Sequence, residues 1–267
     1  MTTIIGIAGK KQSGKNTSAN FFHGKILKEI GAVKDFTLNK SGQLLVETSV
    51  STGQVGWGEF DIGRKDVAFT DYAEENMWPY VKLYSFADAL KWMCVELFDI
   101  PNECLYGTDE QKNQLQEHLL WENMPGVYVD KLDFENGNTD PSELGFVHHS
   151  AGKMTAREFM QYFGTNVMRK ILPDIWVQNT IKRINRERSK LAIIADVRFP
   201  NEVNAILANG GYVIKLNRNS NIDSHESEKA IDPENFDQSK FSLIIDNTGD
   251  ISKLCNSLNL FYQSIEI

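Results

Sequence analysis

Cysteine is scarce. The 267 residues hold three, Cys94, Cys104 and Cys255, an odd number with no C-x-x-C spacing. That excludes a disulfide framework and a paired-cysteine zinc site, and it fits a reducing compartment. Long hydrophobic runs are missing too. None approaches the ~20 apolar residues of a membrane span, and no charged segment leads a signal-length apolar stretch at the N-terminus. A soluble, cytoplasmic protein without a membrane partner is expected. Positive charge is in deficit: Lys plus Arg number 28 against 36 Asp plus Glu, for a net charge of −8. A chain that grips nucleic acid by its phosphates carries the opposite balance, so no stable nucleic-acid partner is expected. A local basic pocket for a small phosphate ligand is compatible with that balance. There is no internal repeat and no low-complexity tract.

Apolar residues are plentiful, at 41%, enough for one large core or two small ones. Five short apolar runs read as buried strands: Thr3–Ala8, Val81–Phe86, Leu191–Ala195, Tyr212–Leu216 and Leu243–Ile245. Several are too continuously apolar for half-exposed antiparallel strands, which alternate. Helical patterns lie between most of them. Ala19, Phe22, Ile26 and Ile30 fall at helical spacing. Asn201 is placed to cap a helix carrying Val203, Ile206 and Leu207 that stops at Gly210-Gly211. The alternation predicts an α/β fold with a mainly parallel sheet. Two stretches break it. Residues 36–78 read as a β-hairpin or excursion at the edge of the core. Residues 122–153, with the loop "ENGNTDPSELG" and His148-His149, read as a second insertion.

Between the first strand and its helix stands Gly9-Lys10-Lys11-Gln12-Ser13-Gly14-Lys15, which fits G-x-x-x-x-G-K. Glycines let backbone N–H groups turn inward around an anion, and the helix adds its positive end. Lys15 then reaches the β- and γ-phosphates. Asn16 departs from the usual hydroxyl residue, though an amide oxygen still suits Mg²⁺, directly or through water. Thr17 supplies a hydroxyl one position later, near the α-phosphate. The competing reading is a Gly- and Lys-rich surface turn.

"LAIIADVRFPNE" puts Asp196 at the carboxyl end of a buried strand, where ligands of open α/β sheets collect. Such an Asp helps to hold Mg²⁺. Val197 follows it, not the water-activating Glu of mechanical ATPases, and no N-K-x-D guanine signature is present. Neither hydrolase class is favoured. Arg198 is placed to clamp a phosphate, or else to pair with Glu202 at the surface. In "GKMTAREFMQYFGTNVMRKILPDIWV", Thr155 to Glu158 form a capping-box pattern. Phe159, Met160, Phe163, Val167 and Ile171 make an apolar stripe, and Arg157, Gln161 and Gly164/Thr165 recur on another face. A guanidinium and a carboxamide one turn apart suit a phosphate and a base edge; an ordinary solvated face is the equal alternative. Gly164 costs about 1 kcal/mol in a helix interior, which points to close approach by a ligand or a helix break. Trp92 and Trp176 are expected in the core. His148 and His149 are expected in solvent, with no third metal ligand at a suitable spacing. Asp109-Glu110 fits a solvated loop or a pocket lining.

Together these motifs resemble the bacteriophage deoxynucleoside monophosphate kinases. The resemblance covers most of the chain and rests on "GKKQSGKNTSANFF", "LYSFADALK", "YGTDEQKN", the long helix segment, "DVRFPNE", "RNSNIDSHESE" and "IDNTGD". It implies a three-layer P-loop kinase fold, a single domain over 1–267. Insertions stand at about 36–78 and 105–153, with a lid at about 216–232. ATP with Mg²⁺ would phosphorylate a deoxynucleoside monophosphate to the diphosphate, in the host cytoplasm if phage-encoded. The nucleotide would meet Gly9, Lys11, Ser13, Gly14, Lys15, Asn16 and Thr17, with Arg218 from the lid and Asn247 near the adenine. The acceptor pocket would draw on Phe86, Lys91, Arg157, Gln161, Thr165, Trp176, Asp196 and Arg198. Lys15, Arg157, Arg198 and Arg218 would carry catalysis, and Asn16 and Asp196 the metal. A homodimer is left open. Phosphomevalonate kinases show a similar loop. A kinase of the phosphomevalonate or dephospho-coenzyme A type, or a nucleotide-binding regulatory module, therefore stays as the alternative.

Overall fold

The computed structural model describes residues 2–49, 55–64, 66–129, 147–218 and 229–266. The chain divides into two compact units, one formed by Met1–Phe86 with Val177–Ile267 and the other by Ala87–Trp176.

The first unit is built on five strands: β1 (Thr3–Gly9), β2 (Val81–Tyr84), β3 (Leu191–Val197), β4 (Tyr212–Asn217) and β5 (Leu243–Asp246). They lie in the order β5-β4-β1-β3-β2, every pair parallel. Ile5 pairs with both Ile193 and Tyr212, so β1 is covered on either edge. All five apolar runs became strands of this one sheet. Their continuous hydrophobicity follows from having helices over both faces. Ile5 and Ile7 pack against Ala19, Phe22 and Ile26 of helix α1 (Lys15–Glu29). On the opposite face, a Cβ at Gly6 would lie 2.5 Å from Ile206, so the helix Pro200–Ala208 sits directly on β1.

That second helix starts differently from the expectation. Pro200 occupies its first turn with φ preset, and Asn201 is already inside it. Glu202, buried, turns back to accept the Arg198 and Phe199 backbone N–H groups at 2.7 and 3.0 Å. Its carboxylate thus closes the start of the helix, and the Asn201 side chain, inside the first turn, accepts from Glu202 N at 3.1 Å. The helix ends as expected, with Gly210 at φ 70°.

The excursion after α1 is a three-stranded antiparallel sheet, Asp35–Leu38, Leu44–Ser49 and Val55–Glu59, followed by the helix Val67–Asn76. Phe36 pairs with Val46, and Leu44, Val46, Phe69 and Ala73 join the core around α1. It is part of that core rather than a flap beside it.

The second unit carries the helices Asp88–Phe98, Asn102–Tyr106 and Asp109–Lys112 and the antiparallel pair Leu115–Leu120 with Lys153–Thr155. The helix Ala156–Gln161 opens with the capping box read from the sequence: Thr155 Oγ accepts from Glu158 N, and Glu158 accepts from Thr155 N at 2.7 Å. It then winds as a π-helix over Tyr162–Met168. The wider turns move later residues off the buried stripe. Tyr162 is buried and donates to the Pro125 carbonyl, whereas Ile171 is 72% exposed. Trp176 is buried as expected; Trp92 is not, at 60% exposure. Residues 130–146 of the second insertion and 219–228 of the expected lid lie outside the described residues. No helix among the described residues is long and apolar enough to cross a membrane.

Candidate functional site

At the carboxyl end of β1 the chain turns through the sequence Gly9 to Lys15 and enters α1. Three residues adopt left-handed backbone, Gly9 at φ 148°, Gln12 at 60° and Gly14 at 102°. Two of them are glycines, for which this conformation carries no Cβ penalty. The loop folds over its own lysine: Lys15 Nζ donates to the Gly9 and Lys10 carbonyls at 2.6 Å each. Ser13 is buried, and its hydroxyl has no hydrogen-bond partner among the described residues. Asn16 is exposed and Thr17 half-buried at the start of the helix.

Two expected nucleotide contacts meet this loop directly. Arg218, just past β4, donates to the Gln12 carbonyl at 3.2 Å. Asn247, just past β5, donates from its side-chain amide to the Ser13 carbonyl at 2.8 Å. A cleft of about 360 Å³ lies beside them, lined by Lys10, Arg198, Lys215 and Arg218 together with Asp232 and Asp246. Among the described residues, four cations against two anions make it a local basic pocket in a chain of net negative charge. Lys10, Lys215, Asp232 and Asp246 were not singled out in the sequence. The signal for Lys215 was there: a lysine inside the apolar run "YVIKLN". Its buried ammonium donates to Ile231 O at 2.8 Å and Gln238 Oε1 at 2.6 Å, and faces the Phe241 ring. Burial, aided by nearby Lys10 and opposed by Asp232, holds its pKa below the ordinary lysine value. Asp232 in turn pairs with Lys10 at 3.0 Å.

Asp196, near the end of β3, accepts from Ser85 Oγ at 2.5 Å and from Phe86 N at 3.1 Å. It thus ties the ends of β3 and β2 together. Asn16 and Asp196 offer oxygen donors of the kind Mg²⁺ takes when phosphate oxygens and water complete its shell.

In the second unit, Arg157 Nη2 donates to Asp109 Oδ1 at 2.6 Å. Asp109 is thereby held in an ion pair. Gln161 and Thr165 are exposed, Lys91 faces the Tyr106 ring at 4.3 Å, and the Trp176 indole donates to the Gly164 carbonyl at 3.1 Å. The close approach that Gly164 permits is made by Leu90: a Cβ there would lie 2.7 Å from its Cδ2. His149 stacks on Trp121 at 3.8 Å. Neither it nor His148 joins a group of three metal-ligating side chains among the described residues.

A family model described as deoxynucleotide monophosphate kinase matches residues 3–258. The chain belongs to the deoxynucleotide monophosphate kinase family. A protein of Acanthamoeba polyphaga mimivirus, named provisionally as a deoxynucleotide monophosphate kinase, is 31% identical over 159 residues. That match covers 54% of this chain and 65% of the mimivirus protein.

Proposed function

We propose that the chain moves the γ-phosphoryl group of ATP to a deoxynucleoside monophosphate. The observation that carries this is the Gly9–Lys15 loop: left-handed turns at the end of a parallel strand, a lysine curled inside, and an arginine on its rim, in a chain of this family. In the reaction an α-phosphate oxygen of the acceptor bonds to the γ-phosphorus. The bond from that phosphorus to the β,γ-bridging oxygen breaks, and its electron pair leaves with ADP. The attacking oxygen is already anionic, so no dedicated base is required. Catalysis is alignment and neutralisation of charge.

Lys15 and Arg218 would hold the donor phosphates, with Gly9, Lys11, Ser13, Gly14 and Thr17 forming the cradle. Asn16 and Asp196 would hold Mg²⁺, which when bound would supply neutralisation of the donor phosphate charge. Arg157 and Arg198 would receive the acceptor phosphate; Gln161 would read a base edge. Phe86, Lys91, Thr165 and Trp176 complete the acceptor set by family resemblance.

A panel of monophosphates with ATP and Mg²⁺ tests this. Turnover of deoxynucleoside monophosphates is expected. Transfer only to phosphomevalonate or dephospho-coenzyme A would replace the acceptor assignment. Tight ATP binding with no transfer to any acceptor would make the chain a regulatory module.

A further inference from the structure

The antiparallel excursion reaches the nucleotide loop's own helix. Its first turn, Asn39–Gln43, is rigidly built. The Asn39 side chain accepts from Ser41 N at 2.9 Å and Gln43 N at 3.0 Å, and Gly42 N donates to Asn39 O at 2.9 Å. Gln43 ties the turn to Glu59 on the third strand at 2.6 Å. Gly42 stands at φ 79°, and a Cβ there would lie 2.1 Å from Thr17 Oγ1 and 3.0 Å from Thr17 Cβ and Cγ2. The Gly42 carbonyl accepts from Asn20 Nδ2 at 2.8 Å, one turn further along α1. Deeper in the helix the same sheet closes on Gly24, where a Cβ would lie 2.3 Å from Phe36. Glycines at two levels thus seat the excursion against the α1 backbone. The upper contact falls on the hydroxyl that follows the phosphate-loop lysine by two positions.

We propose that the Asn39–Gln43 turn is a positioning element of the nucleotide site, fixing the Thr17 hydroxyl for the α-phosphate of the bound triphosphate. The inference rests on the kinase reading and gives the excursion a part in it. Thr17 is β-branched and stiff at χ1, so a neighbour at contact distance selects its rotamer. A methyl group on Gly42 must displace Thr17 by most of an ångström, enough to take its hydroxyl out of hydrogen-bond reach of a phosphate oxygen. Gly42 and Asn20 act through Thr17 and touch no substrate.

The test measures ATP Kd by calorimetry, then kcat and KM, in the full-length protein. Gly42→Ala is expected to weaken ATP binding by about tenfold and raise the KM for ATP alike, with kcat nearly unchanged, the pattern of a lost uniform contact. Gly31→Ala is the control. Gly31 has the same left-handed backbone, φ 74°, with nothing within 4 Å of a Cβ, so it carries the strain without the contact. Its ATP constants should match wild type. If Gly42→Ala does not fold, Asn20→Ala, which removes the clamp and adds nothing, should weaken ATP about threefold. An ATP Kd within twofold of wild type in folded Gly42→Ala overturns the inference alone. So does equal loss in Gly31→Ala, or an unchanged Asn20→Ala. Wild type that binds no ATP overturns the kinase reading and the inference with it.

Discussion

Asn247 and Ser13 are 234 positions apart, yet the Asn247 amide donates to the Ser13 carbonyl at 2.8 Å. Asn247 is 9% exposed, and its own backbone N–H is held by Asn217 O at 2.7 Å. The amide also explains Gly14: a Cβ there would lie 2.6 Å from Asn247 Nδ2. The end of β5 therefore pins the phosphate loop from outside.

Asn247→Ala leaves a buried carbonyl without its donor, which typically costs about 1–3 kcal/mol. Loosening of the loop should weaken ATP, GTP and CTP by similar factors, because all three present the same phosphates. A residue that reads adenine would instead change their ranking. Competition binding with the three nucleotides separates these outcomes, and a loss confined to ATP would sink the clamp assignment.

Lys15→Ala should abolish transfer and leave the fold intact. The side chain donates to the loop carbonyls Gly9 O and Lys10 O and is not part of the apolar core. A charge contact to the migrating phosphoryl group is typically worth on the order of 10²-fold or more in rate. Single-turnover transfer with a circular-dichroism melt of the same sample checks both halves. A folded variant with near-normal turnover refutes the role.

Arg157 is expected to serve every acceptor alike, since the phosphate is common to all, whereas Gln161 should alter the ranking of bases. The Arg157–Asp109 pair adds a further expectation. Asp109 occupies the guanidinium at 2.6 Å, so an incoming phosphate must compete with it. Asp109→Asn should lower the KM of all acceptors by a similar factor of a few, the scale of a half-exposed ion pair. Steady-state kinetics over several monophosphates decides. Equal, base-independent losses in Arg157→Ala and Gln161→Ala would end the division of labour.

These expectations show what a sequence discloses. The five strands were legible because a strand covered on both faces must be apolar throughout. The phosphate loop and the Thr155–Glu158 cap were legible because each is a local hydrogen-bonding problem solved within a few residues. The misread features depend on residues far away in sequence. Trp92 and Trp176 have similar apolar neighbours in the chain, yet Trp176 is buried with its indole on the Gly164 carbonyl while Trp92 is 60% exposed. The π-turn that exposes Ile171 has no propensity signature, because the same residues would continue an α-helix. Gly42 and Gly24 carry no motif at all, since a close approach is a property of two surfaces.

His23 makes stability sensitive to acid. It lies fully buried in α1, with Nδ1 2.9 Å from the Ala19 carbonyl and Nε2 without a partner among the described residues. The carbonyl can only accept, so the neutral ring carries its proton on Nδ1. Burial pushes the pKa down from 6.5 to about 4, and the Ala19 bond offsets only part of that. In the unfolded chain His23 takes a proton near pH 6.5; in the folded protein it does so only near pH 4. Between these values the unfolded state binds more protons, so stability falls as pH falls through the window and levels off below it. The shift amounts to roughly 3 kcal/mol. Asp35, Asp66 and Glu187 have carboxyl pKa values lowered by their partners and add an acid-sensitive background. The His23 part is therefore read as a difference. His23→Met keeps an apolar side chain of similar reach and removes the titrating group. Urea midpoints for both proteins should diverge from about pH 6.5 downward, with the variant losing less. A gap between the two curves that stays constant across the window would show that the buried imidazole does not titrate on unfolding.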